Sequence, residues 1–357
     1  MRVIHSPVQA EHTYRHEVVS GLPVPAYEVP ARAAAIRDAL ERDGRHRLAE
    51  PRGWGLGPIL AVHDADLVGY LEGAWAEWVA SGRAARRTAI VPDTFLLAGY
   101  RGAMGEAARP VAPESRIGYW CFDTMTPLME GTYRAARAAV DVAVEVAEAV
   151  LVGERAAYGL CRPPGHHAAR GMFGGYCYLN NAAIAAEWLV RRSGTRVGIL
   201  DVDVHHGNGT QAIFYERADV AYASLHSDPQ RLYPYFSGSA EETGEGPGLG
   251  ATLNVPLAMG TDDDAYLMAL ERAVDWLLDR TDGPFVVSLG LDTFEQDPLG
   301  DLAVTHDGFR RCGELVAGAG RPLAIVQEGG YAVAGLGEAA RQWLAGVDAR
   351  AAAHRPE

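Results

Sequence analysis

A chain of 357 residues, 48% of them hydrophobic and 22% charged, has the composition of a globular protein and not that of a disordered one. Its 46 acidic residues outnumber its 32 basic residues, and the resulting formal charge of −14 disfavours nucleic acid or an anionic membrane as a partner. The same charge favours a cationic ligand, although an acidic surface can also serve solubility alone.

Apolar runs alternate with helical patterns over two-thirds of the chain, which is the signature of βαβ units. Apolar periodicity predicts helices over residues 132–152, 180–192 and 262–278. Short apolar runs predict strands that are buried on both faces, over residues 196–203, 220–225, 285–291 and 322–326. We therefore expect an α/β fold with a parallel sheet, and ligands bind beyond the carboxyl ends of the strands in such sheets.

Two long stretches interrupt this pattern. Residues near 81–118 carry glycine, proline and arginine with little apolar periodicity, and residues near 228–250 carry tyrosines and glycines. Both predict long loops, which in compact domains often act as lids, channel walls or interfaces and are sometimes only mobile. Because no internal repeat or linker interrupts the sequence, we expect one domain over residues 1–357.

The cysteines and the N-terminal segment indicate the cellular compartment in which the protein is expected. The four cysteines form no CxxC pair, which disfavours a disulfide framework or a cysteine-rich zinc module and predicts buried, reduced thiols. The N-terminus lacks a basic segment followed by an apolar stretch, and no run approaches the ~20 apolar residues that cross a membrane. We expect a cytoplasmic protein.

Acidic and imidazole side chains gather at the end of the strand predicted over residues 196–203. Residues two apart share a side of an extended strand, so Asp201, Asp203 and His205 can face one site. Asp292 ends another apolar run, and a neighbouring parallel strand would bring it to the same edge. Carboxylates and imidazole are competent zinc ligands, and three of them leave a position for water. The alternatives are loop hydrogen bonds for the first group and a capping role for Asp292.

Two adjacent histidines and a tyrosine supply the remaining chemistry. His166 and His167 follow a stiff Pro-Pro-Gly turn, which would hold both rings in place. One imidazole could deprotonate water and the other protonate a leaving amine, if Asp201 and Asn208 orient their far nitrogens. Tyr331 follows two glycines that let its hydroxyl turn into a cleft, where it could stabilise an oxyanion. The alternatives are structural histidines and a tyrosine bonded to a loop carbonyl.

Five ordered motifs resemble those of one known family: CRPPGHHA, FGGYCYLNNAA, LDVDVHHGNGTQ, SLGLDTFEQDP and EGGY. They are similar to motifs of the histone deacetylase superfamily, and most closely to those of its bacterial acetylpolyamine amidohydrolases. The resemblance implies an arginase-like α/β fold with a single, predominantly parallel sheet flanked by helices. It also implies hydrolysis of an N-acetylated amine by metal-activated water. It assigns one zinc ion to Asp203, His205 and Asp292, and catalysis to His166, His167 and Tyr331.

The resemblance implies further sites. Tyr176 would form an aromatic wall of the substrate channel. Asn208 replaces the acid of the usual HHGDG motif, which together with GTQAIFYE and SLHSDP favours the polyamine branch. That branch admits slender cations past acidic residues, for which Glu17 and Glu114 are the candidates, and it forms a homodimer, here with contacts near residues 85–118. A structural potassium ion would be held by Asp201, Asp203, His205, Ser224 and Leu225.

Other functions stay open at this point. A lysine deacetylase, or a deacylase of a biosynthetic intermediate, would use the same residues with a different channel. A catalytically inactive module that binds acyl amines is a further alternative, which the intact ligands, histidines and tyrosine argue against. An arginase-like ureohydrolase shares the fold, but we would expect two manganese ions and more histidine and aspartate ligands than the sequence offers.

Overall fold

An eight-stranded sheet runs through the centre of the computed structural model, which describes residues 1–19, 21–97, 99, 105 and 108–353. Every strand pairing within this sheet is parallel. Its strands, in spatial order, are β4 (Arg47–Ala49), β1 (Arg2–Ile4), β5 (Ala156–Gly159), β10 (Leu323–Gln327), β9 (Phe285–Leu289), β6 (Val197–Asp201), β7 (Val220–Ser227) and β8 (Thr252–Leu257). A separate antiparallel hairpin consists of β2 (His16–Val19) and β3 (Leu22–Pro25). The α/β fold with a parallel sheet is therefore confirmed.

Helices connect the strands and cover the sheet. In the described part of the chain the α-helices are α1 (Pro30–Asp43), α2 (Gly57–Val62), α3 (Ala65–Ala80), α4 (Pro113–Trp120), α5 (Thr132–Leu151), α6 (Asn181–Ser193), α7 (Asn208–Phe214), α8 (Asp263–Leu278), α9 (His306–Gly318) and α10 (Val333–Ala353). Short 3-10 helices span Pro7–Glu11, Arg83–Ala85 and Gly246–Gly248. Two predicted helix starts carry side-chain caps: Asn180 accepts a hydrogen bond from the Ala183 N–H, and Asp262 accepts one from the Ala265 N–H.

Side chains along each central strand alternate between two hydrophobic layers, one on each face of the sheet. In β10, Ala324 and Val326 join the layer that includes α5 and α6, whereas Leu323 and Ile325 join the layer that includes α1, α8, α9 and α10. All four side chains are buried. Because both faces are covered, the strands read as continuous apolar runs, which is why they could be recognised in the sequence.

The predicted strands are confirmed, with differences at their ends. β6 ends at Asp201 and not at residue 203, because after the Val202 N–H, which still donates to Ser288 O of β9, the backbone N–H groups bond side chains instead of a neighbouring strand. The Asp203 N–H donates to Asp201 Oδ1 at 3.3 Å, and the Val204 N–H donates to Asp292 Oδ1 at 2.9 Å. β9 likewise ends at Leu289, two residues early. The sheet pairing of β6 therefore ends where the side chains of Asp201 and Asp292 begin to accept backbone hydrogen bonds.

The two stretches predicted to be irregular differ in outcome. Residues 228–250 contain one short 3-10 helix and no α-helix or strand. In the stretch near residues 81–118, the prediction was wrong from Pro113 onward, where α4 begins. Proline is suited to a first helical turn, and Ile117 and Trp120 bury one side of the helix in the core. Residues 98, 100–104, 106 and 107 of this stretch lie outside the described residues.

Two further features concern the cysteines and the character of the helices. Cys121, Cys161, Cys177 and Cys312 are free and buried. Among the described residues, no helix combines the length and the apolar character needed to span a bilayer.

Candidate functional site

Three side chains converge where two adjacent strands end. Asp203 and His205 follow β6, and Asp292 follows β9, its neighbour in the sheet. Their potential ligand atoms all lie within 4.8 Å of one another, and all three residues are buried. The topology thus produces the convergence that the spacing in the sequence predicted.

These three side chains fit a metal cation. Asp292 Oδ2 is buried without a hydrogen-bond donor, 3.3 Å from His205 Nδ1. The carboxylates of Asp203 and Asp292 have no ion pair with arginine or lysine among the described residues. Gly329 makes the crowding possible, because a Cβ at this position would collide with both carboxylates. Two carboxylates and one imidazole form a donor set that suits zinc.

The electrostatics of the cluster are those of a strongly negative site. Burial and the charge of Asp203 raise the pKa of Asp292 to about 7. Burial alone lowers the pKa of His205, but its contacts with Asp203 and Asp292 outweigh burial and raise that pKa to about 10. Both pKa values are raised because negative charge is concentrated here, and such a site favours a bound cation.

The histidine pair lies beside this cluster, and each ring has a partner on its far nitrogen. His166 Nδ1 lies 3.1 Å from Asp201 Oδ2, and His167 Nδ1 lies 2.8 Å from Asn208 Oδ1. Because both partners accept, each Nδ1 carries the hydrogen in the neutral ring and each Nε2 is left to exchange a proton. The ring centroids are 4.0 Å apart, and His166 Nε2 is 3.7 Å from Asp203 Oδ1. Both partners proposed from the sequence are therefore in contact with their rings.

Their different partners distinguish the two imidazoles. Burial lowers the pKa of His166, but the charges of Asp203 and Asp201 outweigh it and raise this pKa to about 10. Burial and the nearby His166 and His205 rings hold the pKa of His167 well below its usual value. A pair of groups whose pKa values diverge suits combined acid and base catalysis.

Tyr331 reaches the same cavity from the loop after β10. Its ring lies under the Arg32 guanidinium, with Arg32 Cζ 4.5 Å from the ring centroid. Its backbone N–H donates to Asp297 Oδ2 at 2.6 Å, so Asp297 helps to fix this loop. The side chain is almost fully buried, and burial raises the pKa of its hydroxyl well above the usual value. The hydroxyl therefore stays protonated and can donate a hydrogen bond.

A cavity of about 440 Å³ extends from His167, His205 and Tyr331 to the exposed Tyr235. Its lining includes catalytic candidates and an aromatic wall: His167, Tyr176, His205, Tyr233, Tyr235 and Tyr331. Tyr176 adopts a positive φ of 65°, which L-residues rarely adopt, and its ring centroid lies 5.6 Å from that of Tyr331. Tyr176 therefore lines the cavity, and so does Tyr233, which the sequence gave no reason to select.

The two acidic residues selected as substrate contacts are placed differently. Glu17 is buried behind the channel wall, where its Oε1 accepts a 2.7 Å hydrogen bond from the Tyr176 hydroxyl. Its Oε2 is buried without a donor, and burial raises its pKa to about 7. Glu114 lies at the start of α4, paired with Arg83 at 2.6 Å, and does not line the cavity.

The residues assigned to potassium lie in β6, in the segment that follows it and in β7, and two of them, Asp203 and His205, also belong to the cluster described above. Asp201 and Ser224 are paired across β6 and β7, and Leu225 follows Ser224 in β7. Ser224 Oγ lies 2.8 Å from His226 Nδ1. The five residues are thus neighbours at the ends of two adjacent strands.

Arg32 is a contributor that the sequence did not reveal. It donates to the backbone carbonyls of Gly330 at 2.5 Å and Glu328 at 2.7 Å, and it pairs with the buried Glu28 at 2.9 Å. These contacts fix the loop that carries Tyr331. Arg32 and the two carbonyls that it contacts are almost 300 positions apart in sequence. Only folding brings them together, so no local signal in the sequence could have identified these contacts.

Comparison with known proteins gives a consistent result. The family model described as histone deacetylase domain matches residues 26–347. An acetylpolyamine amidohydrolase of Mycoplana ramosa is 41% identical over 97% of this chain and 99% of its own length. Acetylpolyamine amidohydrolase 2 of Pseudomonas aeruginosa is 40% identical over 98% of this chain and 99% of its own length. The crystal structure of an acetylpolyamine aminohydrolase from Burkholderia pseudomallei is similar with a TM-score of 0.90 at 38% identity, covering 98% of this chain and 99% of that one.

Proposed function

The chain belongs to the histone deacetylase family, and on that premise we propose that it is a zinc-dependent amidohydrolase that removes the acetyl group from acetylpolyamines. It is a deacetylase acting on linear amides. The observation that carries the proposal is the buried Asp203, His205 and Asp292 cluster beside an oriented histidine pair. The curated relatives that share about 40% identity over nearly their whole length support the acetylpolyamine substrate.

Water is the nucleophile in this reaction. When bound, zinc supplies Lewis acidity toward the amide carbonyl and makes water more acidic. One imidazole of the pair accepts a proton from the attacking water, and the other donates a proton to the leaving amine. Asp201 and Asn208 hold the two rings through Nδ1, so each Nε2 is available for this exchange. The Tyr331 hydroxyl donates a hydrogen bond to the oxyanion that develops on the carbonyl oxygen.

The cationic part of the substrate is proposed to interact with the channel wall. Tyr176 and Tyr233 present aromatic rings to the cavity, and ring faces attract ammonium groups. Glu17 adds a carboxylate directly behind Tyr176. The net charge of −14 favours the approach of a polycation from solution.

The function is tested by measuring hydrolysis of N-acetylputrescine, N-acetylcadaverine and N-acetylspermidine beside an acetyl-lysine peptide, with the zinc-loaded protein at equal substrate concentrations. We expect a higher kcat/KM for the small amines. A preference for the peptide would instead establish a lysine deacetylase. Bound zinc without turnover of any amide would point to a binding module.

The Glu17→Gln substitution tests the attraction of the cation. For N-acetylputrescine we expect kcat/KM to fall about tenfold, which is the attraction of about 1.4 kcal/mol between two unit charges about 12 Å apart at an effective dielectric constant of about 20. For the neutral analogue N-butylacetamide we expect no change. Because the pKa of Glu17 is about 7, the wild-type preference for the cation over the neutral analogue should increase from pH 6 to pH 8, as the carboxyl loses its proton. The amine of the substrate stays protonated over this range.

Glu114→Gln provides the matched comparison for this experiment. Glu114 is already paired with Arg83 and does not line the cavity. If Glu114→Gln lowers the cation preference and Glu17→Gln does not, the cation is recognised at α4 and not behind Tyr176.

Two further expectations remain proposals. A potassium ion beneath the zinc site would be held by Asp201, Asp203, His205, Ser224 and Leu225, and the pairing of Asp201 with Ser224 in adjacent strands supports it. A homodimer with contacts near residues 85–118 is the second. A cytoplasmic location and a single domain over residues 1–357 stay predictions.

A further inference from the structure

Glu328 is a fully buried acid that the mechanism above does not use. Its Oε2 accepts hydrogen bonds from two successive backbone N–H groups, those of Gly165 at 2.5 Å and His166 at 3.2 Å. Its Oε1 accepts a hydrogen bond from Ser288 Oγ at 3.0 Å. Among the described residues it has no ion pair with arginine or lysine, and its side chain is 0% exposed. A buried carboxyl group is costly unless its hydrogen bonds compensate, so its retention here calls for a reason.

The backbone around Glu328 is fixed by the other parts of the site. The Glu328 N–H donates to Leu289 O at 2.8 Å, and its carbonyl accepts from Arg32 Nη2 at 2.7 Å. The next N–H, that of Gly329, donates to Asp203 Oδ2 at 2.8 Å. One short segment therefore touches a metal-ligand candidate through its backbone and the histidine turn through its side chain, three residues before Tyr331.

We propose that Glu328 is a positioning residue for amide hydrolysis: its carboxyl group fixes the backbone of the Gly165–His166 turn and so sets the distance of the histidine pair from Asp203 and Tyr331. This inference rests on the proposed function. Glu328 is 163 positions from Gly165 in sequence and bonds the backbone of the turn. Asp201 and Asn208 bond the histidine rings instead, so they do not hold this backbone.

Glu328 has three hydrogen-bond partners, the N–H groups of Gly165 and His166 and the Ser288 hydroxyl, and their chemistry explains why a carboxyl group occupies this position. All three are donors, and an acceptor with two separate oxygens can satisfy them together. Alanine would leave two buried N–H groups of the turn without an acceptor, and the turn would move to find one. A displacement of about 1 Å in a catalytic group can reduce the rate on the order of 10²-fold.

Glutamine at this position supplies the conservative comparison. Its amide oxygen can accept from the Gly165 and His166 N–H groups, and its NH2 group can donate to Ser288 Oγ, which is able to reverse its role. Burial raises the pKa of Glu328 to about 7, so a neutral side chain of the same length is a close substitute. Aspartate is one methylene shorter, which draws its carboxylate oxygens back from the Gly165 and His166 N–H groups.

The experiment compares Glu328→Ala, Glu328→Gln and Ser288→Ala with the wild type, all loaded with zinc and checked for zinc content. For Glu328→Ala we expect kcat on N-acetylputrescine to fall on the order of 10²-fold with KM nearly unchanged. Glu328→Gln should recover most of that loss. Ser288→Ala removes a hydrogen bond from the same carboxyl group without touching the turn, so its kcat should stay within about threefold of wild type.

A second readout is independent of turnover. The amide proton resonances of Gly165 and His166 in a 15N-labelled protein should move in Glu328→Ala and stay close to their wild-type positions in Glu328→Gln. Equal loss of kcat in Glu328→Ala and Ser288→Ala, or unchanged amide resonances in Glu328→Ala, would overturn the proposal. If the wild type hydrolyses no amide, the proposed function fails, and the amide resonances still decide whether Glu328 anchors the turn.

Discussion

Tyr331→Phe should lower kcat about 10² to 10³-fold while leaving the fold and the zinc content intact, because it removes the single donor assigned to the developing oxyanion. The ring itself remains, so its packing under Arg32 is preserved. The backbone contact of Tyr331 with Asp297 is also preserved, so the loop should keep its position. The loss should therefore appear in kcat more than in KM, and steady-state kinetics with N-acetylputrescine would measure it.

Tyr176→Phe is the matched control for this substitution. Its ring lies 5.6 Å from that of Tyr331 in the same cavity, but its hydroxyl donates to Glu17, behind the wall, and not toward the reacting atoms. We expect kcat to stay within about threefold of wild type, since only one hydrogen bond of the wall is lost. Activity of Tyr331→Phe equal to that of the wild type would remove this hydroxyl from the mechanism.

The convergence of Asp203, His205 and Asp292 could be predicted from the sequence because these residues lie at the ends of recognisable strands. β6 and β9 are buried on both faces, so their apolar runs are unmistakable, and polar residues follow each run directly. Parallel strands that pair bring such residues to one edge, which places Asp292 beside Asp203 and His205. Periodicity and topology together were sufficient here.

The supports of the site could not be predicted in this way. Arg32 and Glu28 lie in the N-terminal part of the chain, while the carbonyls that Arg32 contacts belong to the loop after β10. Helical periodicity says which face of α1 is buried but not which distant backbone a buried guanidinium meets. The same holds for Glu328, because its glycine-rich surroundings drew attention to Tyr331 and not to the acid.

The acidic channel residues show a second limit. The resemblance gave equal reason to select Glu17 and Glu114, since both match the acidic residues of the polyamine branch only within poorly matching surroundings. The fold separates them: hairpin β2–β3 places Glu17 behind Tyr176, whereas α4 presents Glu114 to Arg83. Side-chain partners of this kind depend on tertiary packing, which neither propensity nor spacing encodes.

Asp292→Asn is expected to weaken zinc binding on the order of 100-fold or more, because loss of a partner outside the ligand set already weakens metal affinity about 10 to 100-fold. Asparagine keeps the shape of the side chain and the acceptor for the Val204 N–H, so the fold should survive. What it removes is the charge of Asp292 Oδ2, the buried atom without a hydrogen-bond donor. Zinc content after dialysis against a competing chelator would measure the effect, with circular dichroism as a check on folding.

Asp297→Asn separates loss of a ligand from a general disturbance of the same loop. Asp297 is also buried and lies five residues further along, but its Oδ2 holds the N–H groups of Tyr331 and Ala332 at 2.6 and 3.0 Å and takes no part in the metal cluster. We expect this variant to keep its zinc and to lose activity through a displaced Tyr331. Zinc loss in both variants would mean that the loop as a whole shapes the site. Zinc retention in Asp292→Asn would mean that Asp203 and His205 hold the ion without it.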